Sequence, residues 1–310
     1  MATRGRGIVS TVFKMAVVAT LPIASTAWAE PPRPTTAPSA GVAATPPAFG
    51  RYVPERKDDI GWENDRIAFR VYGPRLEKDE PPPLSGSGID VWAKSTRRPV
   101  INDWYQGGDY HVDHGDGLDY FNVGASRGCG GLGVWAGGKL HVSGAWKTHR
   151  FTQQVGDNVS FELTYAPWDA GGRKVSEKRT ITLTAGSNLN RIESTIDSDT
   201  PGDLVVGIGV TRDPVKGSRQ EPHITRINDR GVLSAWSAAD AKNGSMGYGV
   251  VVDPATVVGF ERDPLNDLIL VKVTPGKPFV YYAGACWSKG LDFASRDAWE
   301  AYLTTFKPGR

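Results

Sequence analysis

From residue 49 onward, apolar and polar positions alternate or gather in short runs bounded by Gly, Pro, Asn and Asp. A period of two is the signature of strands, whose successive side chains point to opposite faces. Strands are predicted at 66–72, 89–93, 120–123, 132–135, 140–143, 161–165, 179–184, 191–196, 204–211, 248–252, 257–261, 268–273 and 279–283. Arg179-Thr180-Ile181-Thr182-Leu183-Thr184 alternates strictly, which predicts one packed and one wet face. Gly137-Gly138, between Val134-Trp135 and Leu140, predicts a tight hairpin turn. One helix is expected near the C-terminus, where Ser295 caps, Asp297 suits the N-terminal dipole, and Trp299, Tyr302 and Phe306 share a face. A weaker helical pattern covers 237–242. With no heptads and no internal repeat, the pattern predicts an all-β chain: one large sandwich or barrel over 49–310 with few short helices, or two separate β domains.

Before residue 49 the pattern changes. Arg4, Arg6 and Lys14 accompany the apolar run 15–24, which is shorter than the roughly 20 residues a membrane-spanning helix needs. Ala27-Trp28-Ala29 offers a small-x-small cleavage site. Residues 1–29 are therefore expected to be a cleaved secretory signal peptide, with a periplasmic or extracellular destination and no membrane anchor. Pro31, Pro32, Pro34, Pro38, Pro46 and Pro47 among Ala, Thr and Ser make 30–48 a linker that cannot bury apolar area.

Composition narrows the partners. A formal net charge of +2 without a Lys/Arg block argues against nucleic acid, because tracking phosphates needs clustered cations. No Gly-rich phosphate loop opens a helix, which argues against nucleotide cofactors. Cys129 and Cys286 are the only cysteines. Export would permit a disulfide between them, and two buried thiols fit the sequence equally well. The 37 Gly and 10 Trp suit a turn-rich β protein that binds sugars.

One stretch concentrates the chemistry. Residues 104–120, Trp104 to Tyr120, hold two His, four Asp, three Tyr, a Trp and four Gly, and Ser126-Arg127-Gly128 follows. Three readings stay open. In the first, His111 or His114 moves a proton near neutral pH, Tyr110 is the partner acid and Arg127 holds a carboxylate, with Trp104 and Tyr105 contacting substrate. Those parts suit β-elimination from a uronate sugar. In the second, Asp113 and Asp116, with Asp119, hold calcium, or the His pair with a carboxylate holds zinc, although neither spacing matches a strong metal motif. In the third, Asp and Gly are turn residues and the His residues satisfy backbone groups. Outside the stretch, Glu63 is a candidate acid or base, Asn64 and Arg66 candidate substrate contacts, and His223 a residue that could reach the site from a polar connection. A glycoside hydrolase would need two carboxyl groups roughly 5 to 9.5 Å apart, and Glu63 with Asp113, Asp116 or Asp119 could supply them.

Several motifs resemble a secreted bacterial domain-of-unknown-function family (DUF 4861). They are Trp62-Glu63-Asn64-Asp65-Arg66 leading to Tyr72-Gly73-Pro74, Gly88-Ile89-Asp90-Val91-Trp92, and Tyr110-His111 with Asp113-His114-Gly115. Ser126-Arg127-Gly128 with Gly130-Gly131, and Tyr281-Tyr282-Ala283-Gly284 with Trp287 and Trp299, complete the set. The resemblance spans about residues 50 to 307. It implies a β-supersandwich similar to galactose mutarotases, and an association with polysaccharide-degradation loci, often for uronate glycans. Its polar motif positions fall on Glu63, Asn64, Arg66, Tyr110, His111, Asp113, His114 and Arg127. The expectation is thus a secreted enzyme on an acidic oligo- or polysaccharide, first a lyase. A hydrolase and a non-catalytic, mutarotase-like sugar binder are the alternatives, since such a fold serves many functions.

Overall fold

The computed structural model describes residues 46–76, 86–107, 109–215, 218 and 220–307. The expected signal peptide at 1–29 and all but the last residues of the expected linker lie outside them. The architecture is all-β, with three antiparallel sheets. A six-stranded sheet is a nearly continuous meander: β1 (Ala48–Val53), β2 (Asp59–Asn64), β3 (Ala68–Val71), β4 (Asp90–Lys94) and β5 (Gly117–Leu118), closed on the far side of β1 by β9 (Val155–Gly156). A five-stranded sheet orders β17 (Val257–Arg262), β18 (Asn266–Val273), β13 (Leu204–Thr211), β6 (Cys129–Ala136) and β7 (Lys139–His141). The largest sheet runs β14 (His223–Ile227), β15 (Val232–Trp236), β16 (Met246–Val252), β19 (Pro278–Trp287), β12 (Leu189–Ser198), β11 (Lys174–Thr184), β10 (Asn158–Asp169) and β8 (Trp146–Gln153).

The inner faces of all three sheets meet in one core. Trp62 illustrates the join: its ring packs 5.0 Å from Phe161, and its indole N–H donates to Asn190 Oδ1 at 2.7 Å. Strands β10, β11 and β12 alternate buried and exposed, as a sheet with one wet face requires. Gly137 and Gly138 turn β6 into β7 with φ of +58° and +72°, left-handed values that favour glycine. The C-terminal helix α2 (Arg296–Thr305) forms as its sequence predicts. Ser295 Oγ accepts from the Ala298 amide, and Trp299 and Leu303 pack on the back of the largest sheet with Leu189, Val232, Val251 and Cys286.

Some expectations change. Residues 120–123 contribute only an isolated bridge, Phe121 to Val215, and 237–242 form no helix. A six-residue helix α1 (Ile101–Gln106) lies where none was expected. Cys129 and Cys286 are both buried and free, because each sits in packed strand interior. Trp287 belongs to the main core and packs on Tyr120, with ring centroids 6.3 Å apart.

Candidate functional site

Strands β2, β3 and β4 are buried on both faces. Ile60, Trp62, Phe69, Val71, Val91 and Ala93 enter the core. The alternate positions face outward in two cross-strand rows, Glu63–Ala68–Trp92 and Gly61–Arg70–Asp90. Asp59, Glu63, Arg70, Asp90 and Lys94 are thus charged residues at or below 4% exposure. Helix α1 and the loop 109–120 cover them.

Burial makes every partner matter. Glu63 accepts from Lys94 Nζ at 2.6 Å and from the Val100 and Ile101 amides at 2.9 Å. It therefore caps α1 from a neighbouring strand, since Val100 at the cap position has no side-chain acceptor. Arg70 donates through Nε and Nη2 to Asp90 Oδ2 at 3.0 and 2.5 Å, and through Nη2 to Asp119 Oδ2 at 3.1 Å. Its Nη1 lies 3.9 Å from Asp59 Oδ2, and the Tyr72 hydroxyl donates to Asp90 at 3.0 Å. Three carboxyl groups thus share one guanidinium. Burial, with Asp90 beside it, pushes Asp119 up to about 8 against the pull of Arg70, and burial pushes Asp59 up to about 6.

A pH prediction follows from these raised carboxyls. Between the unfolded value of about 4 and the folded values, the native state holds more protons than the unfolded one. Their contribution to stability is complete below about pH 4 and falls away as pH rises toward about 8. The melting temperature should therefore decline from pH about 6 to about 8, and Asp119→Asn should flatten that slope. Differential scanning calorimetry showing equal slopes in both proteins would contradict the assignment.

Above this layer lies an aromatic shelf. Trp92 packs against Trp104, Tyr105 and Tyr110, with ring centroids 5.3, 4.9 and 5.3 Å away. Arg51 lies 5.7 Å over the Tyr105 ring. The Tyr110 ring is 4.5 Å from the His111 ring, and Arg56 Nε donates to the Tyr110 hydroxyl at 3.4 Å. His111, with 61% of its side chain exposed, bonds through Nδ1 to the Asp119 carbonyl oxygen at 2.9 Å. A carbonyl only accepts, so Nδ1 carries the proton and neutral His111 keeps its lone pair on Nε2. The loop is fastened by the Asp119 amide donating to the Tyr110 carbonyl at 2.8 Å.

Sequence-based candidates divide accordingly. Tyr110 and His111 stand together on the shelf with Tyr105, whereas Trp104, 9% exposed, is part of the packing beneath. His114 shares the loop, but its Nε2 donates to the Asp109 carbonyl at 3.2 Å. Arg127 lies elsewhere. It is 2% exposed, its Nη1 donates to Ser87 Oγ at 2.8 Å, and burial beside Arg179 lowers it to about 10. A glycan carboxylate does not reach it there. Glu63 is occupied as described, which removes it from a solvent-facing carboxyl pair. Asn64 holds a turn, accepting from the Arg66 and Ile67 amides and donating to the Thr184 and Ser187 carbonyls. Arg66 pairs with Asp292. His223 begins an edge strand of the largest sheet, outside the shelf. Asp113 accepts from the Gly115 and Gly117 amides and Asp116 pairs with Arg98, so their oxygens serve the loop. Among the described residues, no three His, Cys, Asp or Glu side chains are grouped to hold a metal ion. Neither the aspartates expected for calcium nor the His111–His114 pair expected for zinc is joined into such a group among these residues.

Arg56 is the residue that sequence reasoning missed. It ends a turn, Pro54–Arg56, followed by Lys57 and Asp58 with φ of +54° and +67°. Two consecutive left-handed non-glycine residues are unusual. Gly73 permits the turn to pack, since a Cβ there would come within 2.2 Å of the Lys57 and Asp58 carbonyls. Nothing periodic in the sequence marks this arrangement.

Comparison with known proteins adds a lineage. The family described as "Domain of unknown function (DUF4861)" matches residues 12–308. "Uncharacterized protein P7" of Formosa agariphila is 33% identical over 273 residues, which are 83% of this chain and 66% of that protein. Among solved structures, the galactosidase domain of alpha-galactosidase-sucrose kinase AgaSK aligns with a TM-score of 0.36 at 9% identity, covering 77% of this chain and 42% of that one. A GH36 alpha-galactosidase AgaA variant from Geobacillus stearothermophilus, in complex with raffinose, gives 0.34 at 12% identity, covering 73% and 40%. The chain thus spans just under two thirds of the curated relative and about two fifths of these solved chains.

Proposed function

The chain belongs to the DUF4861 family, and on that premise we propose that it is an exported carbohydrate-active enzyme that cleaves a uronate-containing glycan by β-elimination. The observation that carries the reading is the Arg56–Tyr110–His111 group at the edge of the aromatic shelf, where the His111 side chain is mostly exposed. Arg56, half-buried, supplies the cation that Arg127 was expected to supply. A uronate carboxylate set against it loses charge repulsion at C5, and the C5 proton becomes more acidic. His111 Nε2 takes that proton, its ring held by the Asp119 carbonyl. The C5–H electron pair becomes the C4–C5 double bond, and the C4–O bond breaks. The Tyr110 hydroxyl, which Arg56 contacts, protonates the leaving oxygen. Arg51, lying over the Tyr105 ring, continues the shelf as a polar edge that further sugar units can meet.

The test is a screen of the protein against uronate polysaccharides of plant, algal and bacterial origin. Ultraviolet absorbance of the unsaturated uronate and mass analysis of products are the readouts. Expected is an absorbance rise with at least one of them, lost in Arg56→Ala. Cleavage with water added and no absorbance rise would replace elimination by hydrolysis. Binding without any cleavage would leave a sugar-binding protein.

A further inference from the structure

We infer that the outward face of the eight-stranded sheet is a second saccharide site, shaped for neutral sugar units of a polysaccharide strand. A cavity of about 620 Å³ opens on this face beside α2. That volume falls in the range of ordinary small-molecule sites. Tyr282 and Phe306 line it with ring centroids 4.9 Å apart. Arg191, Arg230, Asp229 and Asp253 are its charged lining, with Thr304 beside them. Two cations against two anions give no net charge, which disfavours a polyanion. The same set supplies paired donors and acceptors for vicinal hydroxyls, while the Tyr282 ring, with Phe306 tilted 58° beside it, offers a surface for the apolar face of a sugar.

The register extends the site beyond the cavity. Tyr282 lies opposite Arg191, Arg191 opposite Thr182, Thr182 opposite Ser160, and Ser160 opposite Gln153. Ser160 Oγ and Thr182 Oγ1 are 2.9 Å apart. A parallel row joins Val280, Glu193, Thr180, Glu162 and Arg150. A protein partner of standard affinity would want an apolar centre. These rows are instead hydroxyl-bearing and charged, half-buried or exposed, with the aromatic pair at one end only. A hydroxyl-rich strand one sugar wide matches that sequence of groups. The site shares no residue with the Arg56–Tyr110–His111 group. The choice of a glycan rests on the proposed function, but the location does not.

The experiment is isothermal titration calorimetry with neutral gluco-, xylo-, manno- and galacto-oligosaccharides, run on the wild type and on Tyr282→Ala, Arg230→Glu and His111→Ala. Arg230 is exposed, so Arg230→Glu reports binding even if Tyr282→Ala folds poorly. Expected is binding of at least one neutral series, weakened about tenfold or more by Tyr282→Ala and Arg230→Glu, and unchanged by His111→Ala. No binding of any neutral series would overturn the inference. So would binding that ignores the two sheet variants, or binding lost in His111→Ala, which would leave one site on the shelf and the proposed function intact. Concentration-dependent dimerisation abolished by Arg230→Glu, without sugar binding, would make this face a self-association surface and also overturn it. Neutral binding at this face without uronate cleavage would reject the proposed function alone.

Discussion

Glu63→Ala is expected to lower the stability of the fold by about 3–5 kcal/mol, the cost typical of breaking a buried ion pair by removing one partner. The residue is 1% exposed, and three different donors depend on it. Its loss strands the Lys94 ammonium, whose pKa burial already lowers, at 2% exposure. It also strands the first amides of α1, so the helix beneath the aromatic shelf loses its anchor. Urea denaturation followed by fluorescence measures the change. Replacing both partners, Glu63→Leu with Lys94→Met, should recover much of it, because no charge is then left buried. A Glu63→Ala protein of normal stability and abolished activity would return the carboxylate to a catalytic role.

The second large effect is on rate. His111→Ala should reduce elimination by about 10²–10⁴-fold, the usual contribution of a positioned base. Stability should stay within about 0.5 kcal/mol, because the side chain is mostly in solvent. His114→Ala should change neither quantity much, since that ring only closes the loop through the Asp109 carbonyl. Initial rates of product absorbance, with thermal melts as control, separate the two. A larger loss at His114 than at His111 would exchange their roles.

The strand content was legible where one face is packed and the other wet. The runs inside β10, β11 and β12 announce themselves by alternation, whereas residues 204–211, buried on both faces, do so by a continuous apolar run. Strand β2 does not, because its outward positions are charged yet buried: Asp59 and Glu63 break the expected pattern by pairing across strands with Arg70 and Lys94. Helix α1 was hidden for the same reason, its cap being a glutamate 37 residues earlier in the chain. The density of the 104–120 segment drew attention to Tyr110 and His111, whose rings the structure places 4.5 Å apart. It gave no means of telling Arg127 from Arg56. Both are arginines near glycines or turns, and only the sheet order shows that one enters the interior while the other stops beside Tyr110. The regular spacing of Asp113, Asp116 and Asp119 suggested a shared ligand, but turn amides, an arginine and the Arg70 cluster divide them.

The continuity of the six-stranded sheet also bears on synthesis. Strands β1 to β5 come from residues 48–118, so this meander can pair as soon as it leaves the ribosome. Its inner face cannot be covered then. Trp62 waits for Phe161 and Asn190, and β1 waits for β9 to close its open edge. For the interval in which those later segments are made, an apolar sheet face and an unpaired strand edge stand exposed, the two features that drive aggregation of nascent chains. A holdase chaperone should therefore engage this protein through its first third. Fragments ending before residue 161 should precipitate, whereas the full chain should refold.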